Sequence, residues 1–174
     1  MKNIFTSKAN VLNFLQNSTK KSTIEPLMYF SITDWKNDPK KIISKIQKLF
    51  KSSKKIIIRS SALGEDSVTN SFAGTYSSIL DISPKTESAI RNAIKSVIKS
   101  YEQNSNFNPK NQILIQKQSV DINQSGVIFT VTPDIGAPYY VINYEVGGTT
   151  TKTTQGLSNK TIKIYRDVKL SKLE

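Results

Sequence analysis

Arg59 follows three isoleucines, Ile56, Ile57 and Ile58, and precedes a polar run rich in Ser, Thr and Gly. The isoleucines read as a buried strand, so the guanidinium stands at the edge of an apolar element, where the local dielectric is low. It wants an anionic partner there, and a phosphate accepts two parallel hydrogen bonds from its fork. Glu65 or Asp66, six and seven residues further on, would serve as an ion-pair partner instead; spacing alone leaves both readings open. The polar run carries Ser67, Thr69, Asn70, Ser71, Gly74 and Thr75. These residues are small, several donate hydrogen bonds, and Gly74 permits close approach to the backbone. Such a loop can close over phosphates with its N–H groups. It is not a Walker A loop, because no Gly-Lys-Ser/Thr ends it, and many hairpin loops share its composition.

Three further side chains could belong to the same chemistry. Ser7 can cap a helix that begins with Lys8, where unpaired N–H groups and the helix dipole favour an anion and an ammonium adds a point charge. The chain has 22 lysines among its 25 basic residues, so a solvated surface lysine is the competing reading. Gln116 lies in the apolar run "ILIQKQSV" and could bond an edge group such as an adenine amine, or face outward. Glu145 ends another apolar run, just ahead of Gly147-Gly148. It could face a cleft, contact a ribose, pair with Arg59, or sit on the surface.

The elements that must hold these residues follow from periodicity and punctuation. A first helix runs from Ser7 to about Asn17, and a short strand spans Pro26–Ile32. Asp38-Pro39 caps and opens a helix with Ile42, Ile43, Ile46, Leu49 and Phe50 at helical spacing. Ile56–Arg59 is a strand. Tyr76–Ile82 is another, with Tyr76, Ser78, Leu80 and Ile82 expected on one side and Ile79 on the other. Ser83-Pro84 is expected to open the clearest helix, whose apolar positions Ile90, Ala93, Ile94, Val97, Ile98 and Tyr101 form one stripe. Gln112–Gln118 and Gly126–Thr132 read as strands joined as a hairpin or near-hairpin, followed by strands at Tyr139–Val146 and Lys160–Tyr165. Helices and strands do not alternate regularly, so the class expected is α+β with a mostly antiparallel sheet.

Composition narrows the function classes. The chain has 174 residues and 37% hydrophobic content, enough for a real core. No apolar run approaches the roughly 18 residues of a membrane span, and the N-terminus lacks a signal peptide's apolar region. There is no cysteine, which excludes disulfides and fits the cytoplasm. There is no histidine either, which excludes histidine triads, histidine metal sites and phosphohistidine chemistry within the chain. The net charge of +12 admits nucleic-acid binding. The lysines are scattered, however, without a basic stripe interleaved with aromatics, and the expectation is no nucleic acid and no membrane partner.

The stretch "IIIRSSALGEDSVTNSFAGTYSSIL" resembles the N-terminal ATP-grasp segment of the phosphoenolpyruvate synthase, pyruvate phosphate dikinase and rifampin phosphotransferase family. The resemblance is carried by Arg59-Ser60-Ser61-Ala62, Glu65-Asp66 and Ser71-Phe72-Ala73-Gly74. "TSKANVLNFL" resembles the family's opening Lys-containing helix, Ile113 to Val120 its strand and hinge, and Ser125 to Gly136 its Gly-Val-hydrophobic-Phe-Thr-x-x-Pro segment. The similarity spans about residues 5–157, with 158–174 as a boundary or the start of a next segment. Two departures stand out: Thr6-Ser7 replaces a Gly-Gly pair, and "EVGGTTTKTTQG" replaces a Gly-Leu-Gly-Glu motif.

The resemblance implies that Lys8 and Arg59 contact the phosphates of ATP. It makes the stretch with Ser71, Ala73, Gly74 and Thr75 a lid over the triphosphate. Gln116 through Val120 would lie at the adenine hinge, and Glu145 is a looser match to a nucleotide contact. It implies a longer phosphotransferase, with Mg2+ ligands and a swivelling histidine domain beyond residue 174, a small-molecule acceptor, and negligible catalysis by these residues alone. The second loop's departure from the family pattern points to a divergent acceptor; among divergent members the chain resembles the glutamine kinase of bacterial capsular phosphoramidate synthesis, which would make the amide of L-glutamine the acceptor. A non-catalytic nucleotide- or partner-binding module derived from this family is the alternative.

Overall fold

The computed structural model describes residues 7–64, 66–67, 70–71, 77–103, 107–147 and 160–167, with only the backbone described at 66–67 and 70–71. The chain divides into two compact units, Met1–Ser119 and Val120–Glu174. Among the described residues no helix is long and apolar enough to cross a membrane. The architecture is α+β, and every strand pairing is antiparallel.

Local signals set the first unit's helices. Helix α1 (Lys8–Gln16) starts where the Ser7 hydroxyl accepts the Asn10 N–H. Strand β1 (Leu27–Ser31) runs directly into a short helix α2 (Ile32–Asn37), because Ser31 and Asp34 cap each other reciprocally. Asp38 then accepts the Lys41 N–H and Pro39 occupies the first turn of α3 (Pro39–Leu49). Strands β2 (Ile56–Ser61) and β5 (Ser78–Ile82) flank residues 62–77. Within that stretch, the two-residue strands β3 (Asp66–Ser67) and β4 (Asn70–Ser71) pair as a small hairpin. Helix α4 (Glu87–Glu102) and strand β6 (Gln112–Lys117) complete the unit.

The sheet order is β1-β6-β2-β5. One face carries Phe30, Ile56, Ile58, Ile113 and Ile115, which pack with Ile42, Ile43, Ile46 and Phe50 of the α3 region and with the Ile90, Ala93, Ile94, Val97, Ile98 and Tyr101 stripe of α4. This is the apolar core. Alternation along the strands sends the other residues to the opposite face.

Three expectations need correction. The β6 and β7 segments do not form a hairpin: β6 pairs with β1 and β2, whereas β7 (Gln124–Phe129) pairs with β8 (Tyr139–Val146) in the second unit. Ile79 and Ile82 do not face opposite sides. Both pack against the core, because Asp81 adopts φ 61° and the register with β2 shifts there, as in a bulge that resets the alternation. Helix α4 begins at Glu87 and not at Ser83-Pro84, since the Thr86 N–H bonds the Ser83 carbonyl and residues 83–86 form a turn first.

The second unit is a sheet of order β7-β8-β9, with β9 spanning Lys160–Tyr165. Gly126 sits where β7 and β8 approach closely: a Cβ there would meet the Asn143 carbonyl oxygen at 2.7 Å. Ile128, Ile142 and Ile162 form one cross-strand row.

Candidate functional site

The sheet face away from the apolar core carries two of the expected site residues, Arg59 and Gln116. Arg59 is opposite Leu114 of β6 and Ser78 of β5; Ile57 is opposite Gln116; Ser61 is opposite Gln112. Arg59, Ser61, Gln112 and Gln116 therefore project from the same face. Leu114, fully buried yet outside the apolar core cluster, shares it.

Helix α1 is fastened to this face at its first turn. The Ala9 N–H donates to the Ser61 hydroxyl at 2.8 Å, in a buried bond between groups 52 residues apart. The Ser7 hydroxyl accepts the Asn10 N–H at 3.2 Å and donates to Gln112 Oε1 at 2.6 Å. On the far side of the strand ends, the Ser61 N–H donates to the Tyr101 hydroxyl at 2.6 Å, and that hydroxyl donates to the Gln112 carbonyl at 2.7 Å. The result is a closed ring of hydrogen bonds through Ser7, the α1 first turn, Ser61, Tyr101 and Gln112. Lys8 is the first helical residue within that ring, so Lys8 and Arg59 are carried by elements bonded to each other. Arg59 and Ser61 are two residues apart on one strand, about 7 Å at a rise near 3.3 Å per residue.

This geometry changes one expectation. The first-turn N–H groups of α1 were to help bind an anion, but those of Ala9 and Asn10 are already taken by the hydroxyls of Ser61 and Ser7.

Arg59 is half-buried. Its Nε is shielded from solvent and has no hydrogen-bond partner among the described residues. A guanidinium N–H in that state carries a desolvation cost that an anion would offset. Gln116 is half-buried on the same face, one β6 position of like orientation beyond Leu114. The hinge expected after it is held to β5: Gln118 accepts the Asp81 N–H at 2.8 Å and its amide donates to the Asp81 carboxylate at 3.2 Å.

The remaining expected site residues lie in the second unit or outside the described residues. Val120 is exposed and begins the second unit. Glu145 is half-buried in β8 of that unit, opposite Ser125. Ala73, Gly74 and Thr75 lie outside the described residues, as does the side chain of Ser71, whose backbone pairs with Asp66. Just after β2, Asn111, which is buried, accepts the Leu63 N–H at 3.1 Å. Among the described residues no group of three or more acidic, histidine or cysteine side chains could hold a metal ion.

Sequence reasoning passed over Ser61, Gln112, Tyr101 and Asn111. Ser61 stood within a quoted motif, yet its bond to Ala9 depends on a contact that no local pattern encodes. The Tyr101 hydroxyl was hidden because its ring fits the apolar stripe of α4.

A search of curated proteins gave no match. The family model described as pyruvate phosphate dikinase, AMP/ATP-binding domain, matches residues 33–166. Arg59, the lid stretch, Gln116, Val120 and Glu145 fall inside that span, while Lys8 and α1 precede it. A match over more than half of the chain, on the strands that carry the half-buried guanidinium, leads to one conclusion: the chain belongs to the family of the AMP/ATP-binding domain of pyruvate phosphate dikinase.

Proposed function

We propose that the first unit grips the triphosphate of ATP on the sheet face that carries Arg59, as the nucleotide-binding part of a dikinase-type phosphotransferase. The observation that carries this reading is the shielded Nε of Arg59, which lacks a partner among the described residues and stands on the strand whose Ser61 is bonded to the first turn of α1. Two cations offset phosphate charge in a region of lowered dielectric, and positioning with charge neutralisation is most of what phosphoryl transfer asks of a protein. Gln116 would meet the adenine edge. Ser71, Ala73, Gly74 and Thr75 would lie over the phosphates as a lid. Val120 and Glu145 belong to the second unit, where they would contribute further nucleotide contacts.

The phosphoryl group would leave ATP for a histidine that this chain does not contain, on another domain of the same polypeptide, and pass to a small-molecule acceptor in the cytoplasm. Glutamine's amide as that acceptor rests on the divergent second loop alone.

The test compares ATP with adenosine, by NMR titration of the 174-residue chain and of Arg59→Met. Wild type should bind ATP more tightly than adenosine. Arg59→Met should lose about ten- to a hundredfold in ATP affinity, as expected for hydrogen bonds to a charged group, with adenosine unchanged. Equal affinities in wild type, or an Arg59→Met chain that still prefers ATP to the same degree, would refute the reading. The chain alone should show negligible ATP turnover. Robust turnover insensitive to Arg59→Ala would count against it equally.

A further inference from the structure

We infer that Ser61 is a positioning residue for Lys8: its hydroxyl makes no contact with the ligand and instead fixes where the lysine's ammonium can reach relative to Arg59. The inference rests on the phosphate-gripping reading of Lys8 and Arg59 and adds the device that brings them together. Ser61 is fully buried and accepts the N–H of Ala9, the residue next to Lys8, at 2.8 Å. It stands two residues beyond Arg59 on β2, with its side chain on the same face. One hydrogen bond therefore ties the backbone that bears the first cation to the strand that bears the second.

The surrounding ring makes Ser61's hydroxyl the direct link between strand and helix. Ser7 caps α1 and reaches Gln112, and Tyr101 ties the Ser61 N–H to the Gln112 carbonyl. Those bonds fix helix to β6 and β6 to β2. Only the Ser61 hydroxyl, among the bonds of this ring, runs directly from β2 to the first turn of α1. Without it, the Ala9 N–H loses its acceptor and the first turn of α1 keeps only its bonds to Gln112 of β6, so Lys8 can shift relative to Arg59 while the strand stays in place. An amphiphilic small residue at the end of an apolar strand thereby becomes a determinant of how two phosphate contacts are spaced.

A double-mutant cycle on the 174-residue chain tests this, with ATP and adenosine affinities read by NMR titration. Ser61→Ala should weaken ATP binding roughly three- to tenfold, the range of a single hydrogen bond, and leave adenosine unchanged. In a Lys8→Met background the same substitution should cost nothing further, because the group it positions is gone. Ser61→Cys, near-isosteric with a much weaker acceptor, should reproduce the loss and provides the comparison if Ser61→Ala does not fold. An undiminished cost of either variant in the Lys8→Met background would overturn the inference, as would unaltered ATP affinity in both. Arg59→Met separates the two layers. If it weakens ATP binding while the Ser61 variants do not, the positioning role fails and the phosphate grip stands. If Arg59→Met and Lys8→Met both leave ATP affinity intact, both fall together.

Discussion

At the scale of single residues, the most consequential atom is the Nε of Arg59, which is shielded from water without a partner among the described residues. A neutral side chain of similar length removes its desolvation cost, so Arg59→Met should leave the chain as stable as wild type or slightly more stable in thermal melts. The same substitution should sharply reduce the preference for ATP over adenosine. A structural ion-pair role for Arg59 would show the reverse, lower stability and intact discrimination. Asp34 offers a pH-dependent check on local structure. The hydroxyl and the N–H of Ser31 both donate to its carboxylate, and they hold its pKa below the ordinary 3.8. Its folded-state pKa is therefore depressed. The stabilisation is complete above the unfolded value and is lost as pH falls through the folded value. Asp34→Asn should remove that acid-side dependence, and Ser31→Ala should cost about 1 kcal/mol at neutral pH, the usual worth of a helix cap. Denaturant melts from pH 2 to pH 7 would measure both.

At the scale of elements, helix starts were the most legible features and pairings between distant strands the least. Ser7 and Asp38 announced α1 and α3 because a cap is a bond between residues three apart. Ser31 and Asp34 offered the same kind of signal for α2, masked by the strand-like run before them. The bulge at Asp81 was not legible, since nothing in its neighbours demands a positive φ, and it inverted the face assigned to Ile82. The apparent β6–β7 hairpin failed because β6 gains more from the buried faces of β1 and β2 than from its neighbour in sequence. The hydrogen-bond ring was invisible for the same reason: its contacts join groups 40, 52 and 105 residues apart. Tyr101→Phe keeps the ring in the core and deletes only the hydroxyl. It leaves the buried Ser61 N–H without its acceptor, and chemical denaturation should show a loss of about 1–3 kcal/mol. In the second unit, Gly126→Ala would press a Cβ against the Asn143 carbonyl oxygen. The β7–β8 pairing should then weaken by about 1–3 kcal/mol, as overpacking does, with faster amide exchange along both strands.

At the scale of the whole molecule, the apolar core belongs entirely to the first unit, from Phe30 to Ile115. A chain ending at Ser119 should therefore unfold cooperatively by itself, and the loss of Ile46, fully buried at the centre of α3, should cost it about 2–5 kcal/mol on replacement by Ala. A broad, non-cooperative melt of that shorter chain would contradict the division into units. The charge of +12 gives ATP more than one place to go. A hollow of about 290 Å³ at the other end of β2 is lined by Lys51, Lys54 and Lys85 together with Ser52, Ser53 and Ser83, and simple attraction would draw a polyanion there as readily. Backbone amide shifts during an ATP titration distinguish the two ends of the strand. The account predicts that the largest changes fall at Ala9, Arg59, Ser61 and Gln116 and are absent with adenosine at the first three. Changes confined to Lys51–Lys54 and Ser83–Lys85, with the Arg59 face silent, would contradict it.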